Sequence, residues 1–284
     1  MVQASAQSRS KSAATTTALR LHDVSVRYVG GRGGELAALE KVSLDLGAGE
    51  FLSVVGPSGC GKTSLLRVAG GLLTPSEGTA EVLGGSPAEA QEAKRLGLVF
   101  QEPALLPWRD VRSNVRLPLE VNRSATAQPA ASVDELLHLV GLTEFEAYRP
   151  HELSGGMQQR VALARALVFG PEVLLMDEPF GALDEITREQ MRYELLRVRD
   201  SAAGARKSVL FVTHSVAEAV ALSDRVAVMS RRPGQIKAIM PIELARPRSP
   251  EEERSNAFLD QVDRIRALLR DELGDGFSGS DARP

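Results

Sequence analysis

Eight consecutive residues, Gly56-Pro57-Ser58-Gly59-Cys60-Gly61-Lys62-Thr63, carry the strongest chemical signal in the chain. Glycines at this spacing let a backbone bend until several N–H groups converge on one anion, and a helix starting there adds its positive end. Lys62 can reach β- and γ-phosphates as a point charge, Thr63 can offer its hydroxyl to Mg²⁺, and Ser64 follows as a further binding candidate. An apolar run, Phe51 to Val55, leads in, and Thr63 to Ala69 can follow as a helix, the setting this motif requires. A second apolar run, Val173 to Met176, ends in Asp177 and Glu178. Two carboxylates at a buried strand end are costly without a cation. Asp177 would hold the metal, and Glu178, pointing elsewhere, would accept a proton from, or orient, the water that attacks a γ-phosphate.

Cys60 lies inside the loop and has two readings: a thiol activated by a helix N-terminus, or a small side chain at a free position, which is the favoured one. Ser154-Gly155-Gly156 precedes a helix expected over Met157 to Phe169, so Ser154 reads as an N-cap and the turn as a second anion-ready helix start.

The elements that must position these groups alternate between strand and helix. Leu19 to Tyr28 and Val42 to Leu46 alternate apolar with polar, and the Gly30 to Gly34 turn between them implies an antiparallel piece. Short continuous apolar runs at Phe51 to Val55, Leu96 to Phe100, Val173 to Met176, Val209 to Val212 and Val226 to Met229 read as buried parallel strands. Ser132 to Glu135 is a capping box opening a helix that Gly141 closes, and Ser215 to Glu218 is another. The expected fold is an α/β core with a mainly parallel sheet beside an antiparallel piece. Met1 to Thr17 reads as a flexible leader, Arg248 to Arg254 as a linker or helix start, Phe258, Val262, Ile265 and Leu269 as one face of a last helix, and Gly274 to Pro284 as a frayed end.

Composition narrows the function. The 284 residues include 34 Lys and Arg against 37 Asp and Glu, a net charge of −3 that argues against a generic nucleic-acid binder. With one cysteine no intramolecular disulfide can form, which fits a reducing compartment. No stretch is apolar enough to span a bilayer as a helix.

Beyond the two phosphate motifs, Leu153-Ser154-Gly155-Gly156-Met157-Gln158-Gln159-Arg160 discriminates among phosphate-loop proteins. With Gly56 to Thr63, Gln101, Val173 to Glu178, Ala182-Leu183-Asp184 and His214 in this order, the chain resembles the nucleotide-binding subunit of ATP-binding-cassette (ABC) transporters from about Leu19 to about Met240. Met157 stands where many cassettes have Gln, and Ser215 where many have Asp. The resemblance implies an α/β fold with a P-loop NTPase core, mainly parallel sheet, an antiparallel β subdomain and an α-helical signature subdomain, with ATP and Mg²⁺ as ligands and a head-to-tail pair of cassettes sandwiching two nucleotides. It places Ser154, Gly155 and Gly156 on the γ-phosphate held by the other subunit, Gln101 on Mg²⁺ or the attacking water, His214 on the γ-phosphate, Tyr28 on the adenine, and Asp184 as the link between the two sites. It divides the chain into a leader over 1–17, an ATPase domain over 18–240 with a helical subdomain at about 102–160, and a C-terminal extension over 241–284.

The wording of Gly56 to Lys62, of Val99 to Trp108 and of Leu153 to Met157 looks like the nitrate/sulfonate/taurine group of importers. That implies a membrane permease and a solute-binding protein as partners and a place on the cytoplasmic face of a bacterial inner membrane. Leu105, Leu106 and Trp108 are then either an exposed permease contact or buried subdomain core. Cassettes for pyrimidine-precursor or riboflavin uptake, and soluble non-transport ABC ATPases, are the alternatives. A small-molecule kinase would leave Ser154 to Gly156 and His214 without a role.

Overall fold

The computed structural model describes residues 17–29, 34–122, 129–181, 183–200, 206–246 and 248–273. The expected leader apart from Thr17, the turn residues Gly30 to Gly33, Ala182 and the tail from Gly274 lie outside the described residues.

Two sheets organise the chain. Strands β1 (Thr17–Val29), β2 (Glu35–Gly47) and β4 (Glu77–Val82) form an antiparallel sheet in the order β2-β1-β4. A six-stranded sheet runs β5 (Leu96–Val99), β6 (Val173–Asp177), β7 (Ser208–Thr213), β3 (Phe51–Val55), β8 (Arg225–Met229) and β9 (Ile236–Pro241), parallel throughout except for β9 at the edge. Strands β3, β6 and β7 are buried along their whole length, which is why they read as unbroken apolar runs.

The two faces of that sheet follow the two-residue period of a strand. Leu52, Val54, Val173, Leu175, Leu210 and Val212 join one core with α1 (Lys62–Ala69) and the antiparallel sheet. The intervening Phe51, Leu174, Met176, Val209 and Phe211 join a second core with α3 (Val111–Val121), α4 (Val133–Leu139) and α5 (Gly155–Leu167). Helix α2 (Pro87–Glu92) follows β4, and α6 (Glu185–Asp200) packs on the second core through Met191 and Leu195. Each fully buried Leu or Phe is worth about 1.5–3 kcal/mol over its exposed state, so each face is heavily anchored.

Helix α7 (Val216–Leu222) and helix α8 (Asn256–Leu273) build a third core beside β8, where Phe258, Val262 and Ile265 meet Val216, Ala219 and Val220. The segment entering α8 is no loose linker. Arg248 is buried and donates to the carbonyls of Val220, Ala221 and Ser223, satisfying the end of α7. Burial pushes its guanidinium down to about 10. No helix among the described residues is long and apolar enough to cross a membrane.

Because Ile265 is fully buried against α7, Ile265→Ala should cost about 2–5 kcal/mol. A denaturant titration that leaves the midpoint in place would show that α8 is not part of the folded unit.

Candidate active site

The glycine-rich loop closes as its spacing demands. Gly59 and Gly61 have φ of +74° and +105°, a region side chains avoid. A Cβ on Gly61 would stand 2.6 Å from Leu39 Cδ2 and 2.7 Å from the Ala38 carbonyl. Lys62 is buried, and its ammonium donates to the carbonyls of Gly56 (2.8 Å) and Pro57 (3.0 Å). Its remaining donor has only the Cys60 Sγ, 3.8 Å away. Pro57, Ser58 and Gly59 form the open rim, and the Thr63 side chain is exposed beside it. Cys60 is buried, and burial pushes its thiol up despite the Lys62 charge. Its burial favours the small packed side chain over the activated thiol. Tyr28 shares a hydrogen bond with Ser64 at 2.9 Å, which brings the end of β1 onto α1.

Four further candidates converge at the carboxyl edge of the parallel sheet. Asp177 is buried, and its Oδ1 has no hydrogen-bond partner. Desolvation raises its carboxyl above the ordinary range, opposed by the Thr63 hydroxyl. Glu178 adopts φ +43°, a strain of about 1–3 kcal/mol for a residue with a side chain. Its Oε2 lies 2.9 Å from His214 Nδ1 at the end of the neighbouring strand. A Cβ on Gly181 would sit 3.6 Å from Gln101 Nε2 and 3.7 Å from Glu178 Oε2, so those side-chain ends meet over this glycine.

Ser154, Gly155, Gly156 and Asp184 form a separate group. Ser154 caps α5 by accepting from the Met157 N–H at 3.3 Å. A Cβ on Gly156 would stand 2.4 Å from Thr187 Cγ2, so only glycine fits. Thr187 in turn donates its N–H and hydroxyl to Asp184. These bonds hold the Asp184 carboxyl below its usual range. Among the described residues no hydrogen bond or ion pair joins this group to the loop of Gly56 to Thr63.

Residues 39–181 match the ABC transporter family. An uncharacterized ABC transporter ATP-binding protein of Methanocaldococcus jannaschii is 46% identical over 241 residues, covering 85% of this chain and 87% of its own. A taurine import ATP-binding protein of Jannaschia sp. is 46% identical over 220 residues, 78% of this chain and 80% of its own. A dimeric ATP-binding cassette in a post-hydrolysis state with ADP and Pi superposes with a TM-score of 0.69 at 30% identity, covering 80% of this chain and all of that one. The chain belongs to the ABC transporter family.

Three polar side chains of this cassette that carry no local sequence signal shape the segment from Phe100 to Asp110. Asn114 on α3 is fully buried, accepts from the Leu106 N–H and donates to the carbonyls of Leu106, Arg109 and Asp110. Arg165 on α5 donates to the carbonyls of Pro103 and Ala104. Gln159, also on α5, donates to the Phe100 carbonyl at 3.3 Å. The held segment presents Trp108 at 69% exposure, while Leu105 and Leu106 before it are half-buried, so Trp108 is surface and not core.

The capping box expected at Ser215 is only half made. Ser215 accepts from the Glu218 N–H, but the Glu218 carboxylate turns away to accept from the Thr213 hydroxyl at 2.6 Å.

Asp177 has a raised folded-state value, so burial opposes its ionised form. The penalty is absent where the group is protonated in both states and complete above the raised value. Asp177→Asn should therefore raise the thermal midpoint of the nucleotide-free cassette at neutral pH, and the gain should shrink as pH falls into the carboxylate range. A lowered midpoint at neutral pH would contradict this.

Proposed function

We propose that this cassette is the ATP-hydrolysing subunit of an importer and works as a head-to-tail pair of identical chains. The observation that carries the reading is the split of the site. The phosphate loop, Asp177, Glu178, Gln101 and His214 gather at the sheet edge, while the Ser154 to Gly156 turn and Asp184 gather around Thr187. A closed two-fold pair brings each capped turn to the other chain's nucleotide. The dimeric cassette holding ADP and Pi supports this arrangement.

In this reading the loop amides and Lys62 hold the β- and γ-phosphates. The ammonium exchanges its weak sulfur acceptor for phosphate oxygen. Tyr28 offers its ring to the adenine, with Ser64 anchoring its hydroxyl. Asp177, with a buried unpaired carboxylate oxygen beside the Thr63 hydroxyl, fits Mg²⁺, and Gln101 completes the set or orients the attacking water. Bound there, the ion supplies charge neutralisation on the phosphates. Glu178 accepts the proton of the attacking water, and His214, bonded to Glu178, faces the γ-phosphate.

Residues 18–240 then form the ATPase domain, with its helical subdomain at about 102–160, followed by the C-terminal extension. Trp108 and its neighbours form the contact for a permease, on the cytoplasmic face of the membrane, with a solute-binding protein on the far side. Taurine-import relatives from several organisms favour sulfonate-type solutes over pyrimidine precursors or riboflavin, and a transporter over a soluble ABC ATPase.

Glu178→Gln should bind ATP yet lose about 100-fold or more in hydrolysis, and light scattering should show it shifting from one chain to two on adding ATP. Lys62→Ala should weaken nucleotide binding about tenfold or more. Particles that stay single with ATP, together with turnover untouched by Ser154→Arg, would refute the paired site.

A further inference from the structure

Glu178 and His214 stand on separate loops, and their mutual hydrogen bond spans the front of the site. Behind them lies a second connection. Glu218, on the first turn of α7, is 4% exposed, a rare place for a carboxylate. One of its oxygens accepts from the Thr213 hydroxyl, and Thr213 Oγ1 also accepts from the Ser215 N–H at 3.0 Å. That grips both residues flanking His214. The other oxygen lies 3.5 Å from Arg188 Nε on α6.

Arg188 works in the opposite direction. Its guanidinium donates to the Leu183 carbonyl at 2.7 Å and the Phe180 carbonyl at 3.4 Å. Those carbonyls belong to the turn that leaves Glu178, a residue held at φ +43°. A further N–H pairs with Glu185. One ion pair, buried at its carboxylate end, thus fastens the His214 loop to the turn after Glu178.

The geometry points to Arg188 and Glu218 as positioning residues for hydrolysis: they set the separation of Glu178 and His214 without touching the nucleotide. This rests on the reading of Glu178 and His214 as the hydrolytic pair. Nucleotide binding depends on the phosphate loop, which neither residue contacts among the described bonds. Loss of the pair should therefore fall on the chemical step alone, since small misplacement of reacting groups is costly in rate.

The test uses the full chain. Glu218→Gln keeps the shape and the acceptor for Thr213 while removing the charge. Arg188→Lys, at a partly exposed position, keeps the charge but loses the fork. For each, single-turnover hydrolysis at saturating ATP, equilibrium binding of a fluorescent ATP analogue and the thermal midpoint are measured. Each variant should lose about 10-fold to 100-fold in the hydrolysis rate with binding unchanged, and the double variant should lose no more than the worse single one, as coupled partners do. Should Glu218→Gln fail to fold, Arg188→Lys decides the matter in the same assays. Unchanged hydrolysis, an equal loss in binding, or additive losses would overturn the positioning role. Glu178→Gln run alongside separates the two ideas: if it hydrolyses normally, the hydrolytic pair itself is wrong, whereas its failure beside an unaffected Arg188→Lys condemns only the positioning pair.

Discussion

Parallel strands that end at one edge are the constraint from which the site follows. In register, Val55 pairs with Thr213, Asp177 with Val212 and Val99 with Met176. The four strands therefore stop almost level, and the residues that leave them are Gly56, His214, Glu178 and, one step on, Gln101. In open α/β sheets ligands bind beyond these carboxyl ends. A slip of one residue in any strand would turn its apolar side chains from one core to the other and carry its functional residue away from its partners. Burial of both faces is thus what makes the chemistry at the edge reproducible.

What the sequence reveals most clearly is what is local. The phosphate loop is contiguous, its glycines answer to its own backbone angles, and the apolar runs mark buried strands without reference to any neighbour. The Ser132 capping box forms in full because its partners are three residues apart and exposed. At Ser215 the same pattern meets a buried Thr213 hydroxyl and Arg188, and tertiary partners win Glu218 from the backbone N–H it was expected to cap. Asn114, Gln159 and Arg165 show the same limit. An Asn inside a helix, or a Gln and an Arg on a helix face, has no pattern that tells which distant carbonyl it will meet. Arg248 reads as a charged linker residue because charge usually means solvent, yet the open carbonyls at the end of α7 give it a buried place. Trp108, evenly balanced between surface and core by its sequence, is decided only by the loop that Asn114 fixes beneath it.

The candidate site sits where local rules are broken. Asp177 keeps a carboxylate oxygen out of water with no donor, Glu178 occupies a backbone region suited to glycine, and Lys62 places a charge among loop carbonyls. In the proposed function, phosphates and their counterion would give partners to the Lys62 ammonium and to the unpaired Asp177 oxygen. The large cores on both faces of the sheet make these departures tolerable, because a few kcal/mol of local strain is small beside what those cores contribute.

The helical layer is bound to the sheet edge by polar contacts that end on backbone. Gln159 holds the carbonyl before Gln101, Arg165 holds the next turn, and Asn114 holds the loop of Trp108, while α5, which carries two of these three side chains, begins at Ser154. Helix α5 thus links the Ser154 turn to the Phe100 to Ala104 segment through Gln159 and Arg165. The Ser154 turn and the Trp108 loop are therefore tied to one scaffold of α3 and α5. Side chains gripping carbonyls, and not apolar packing alone, make it so: apolar contacts can slide past one another, whereas a hydrogen bond to a fixed carbonyl is lost within a fraction of an ångström.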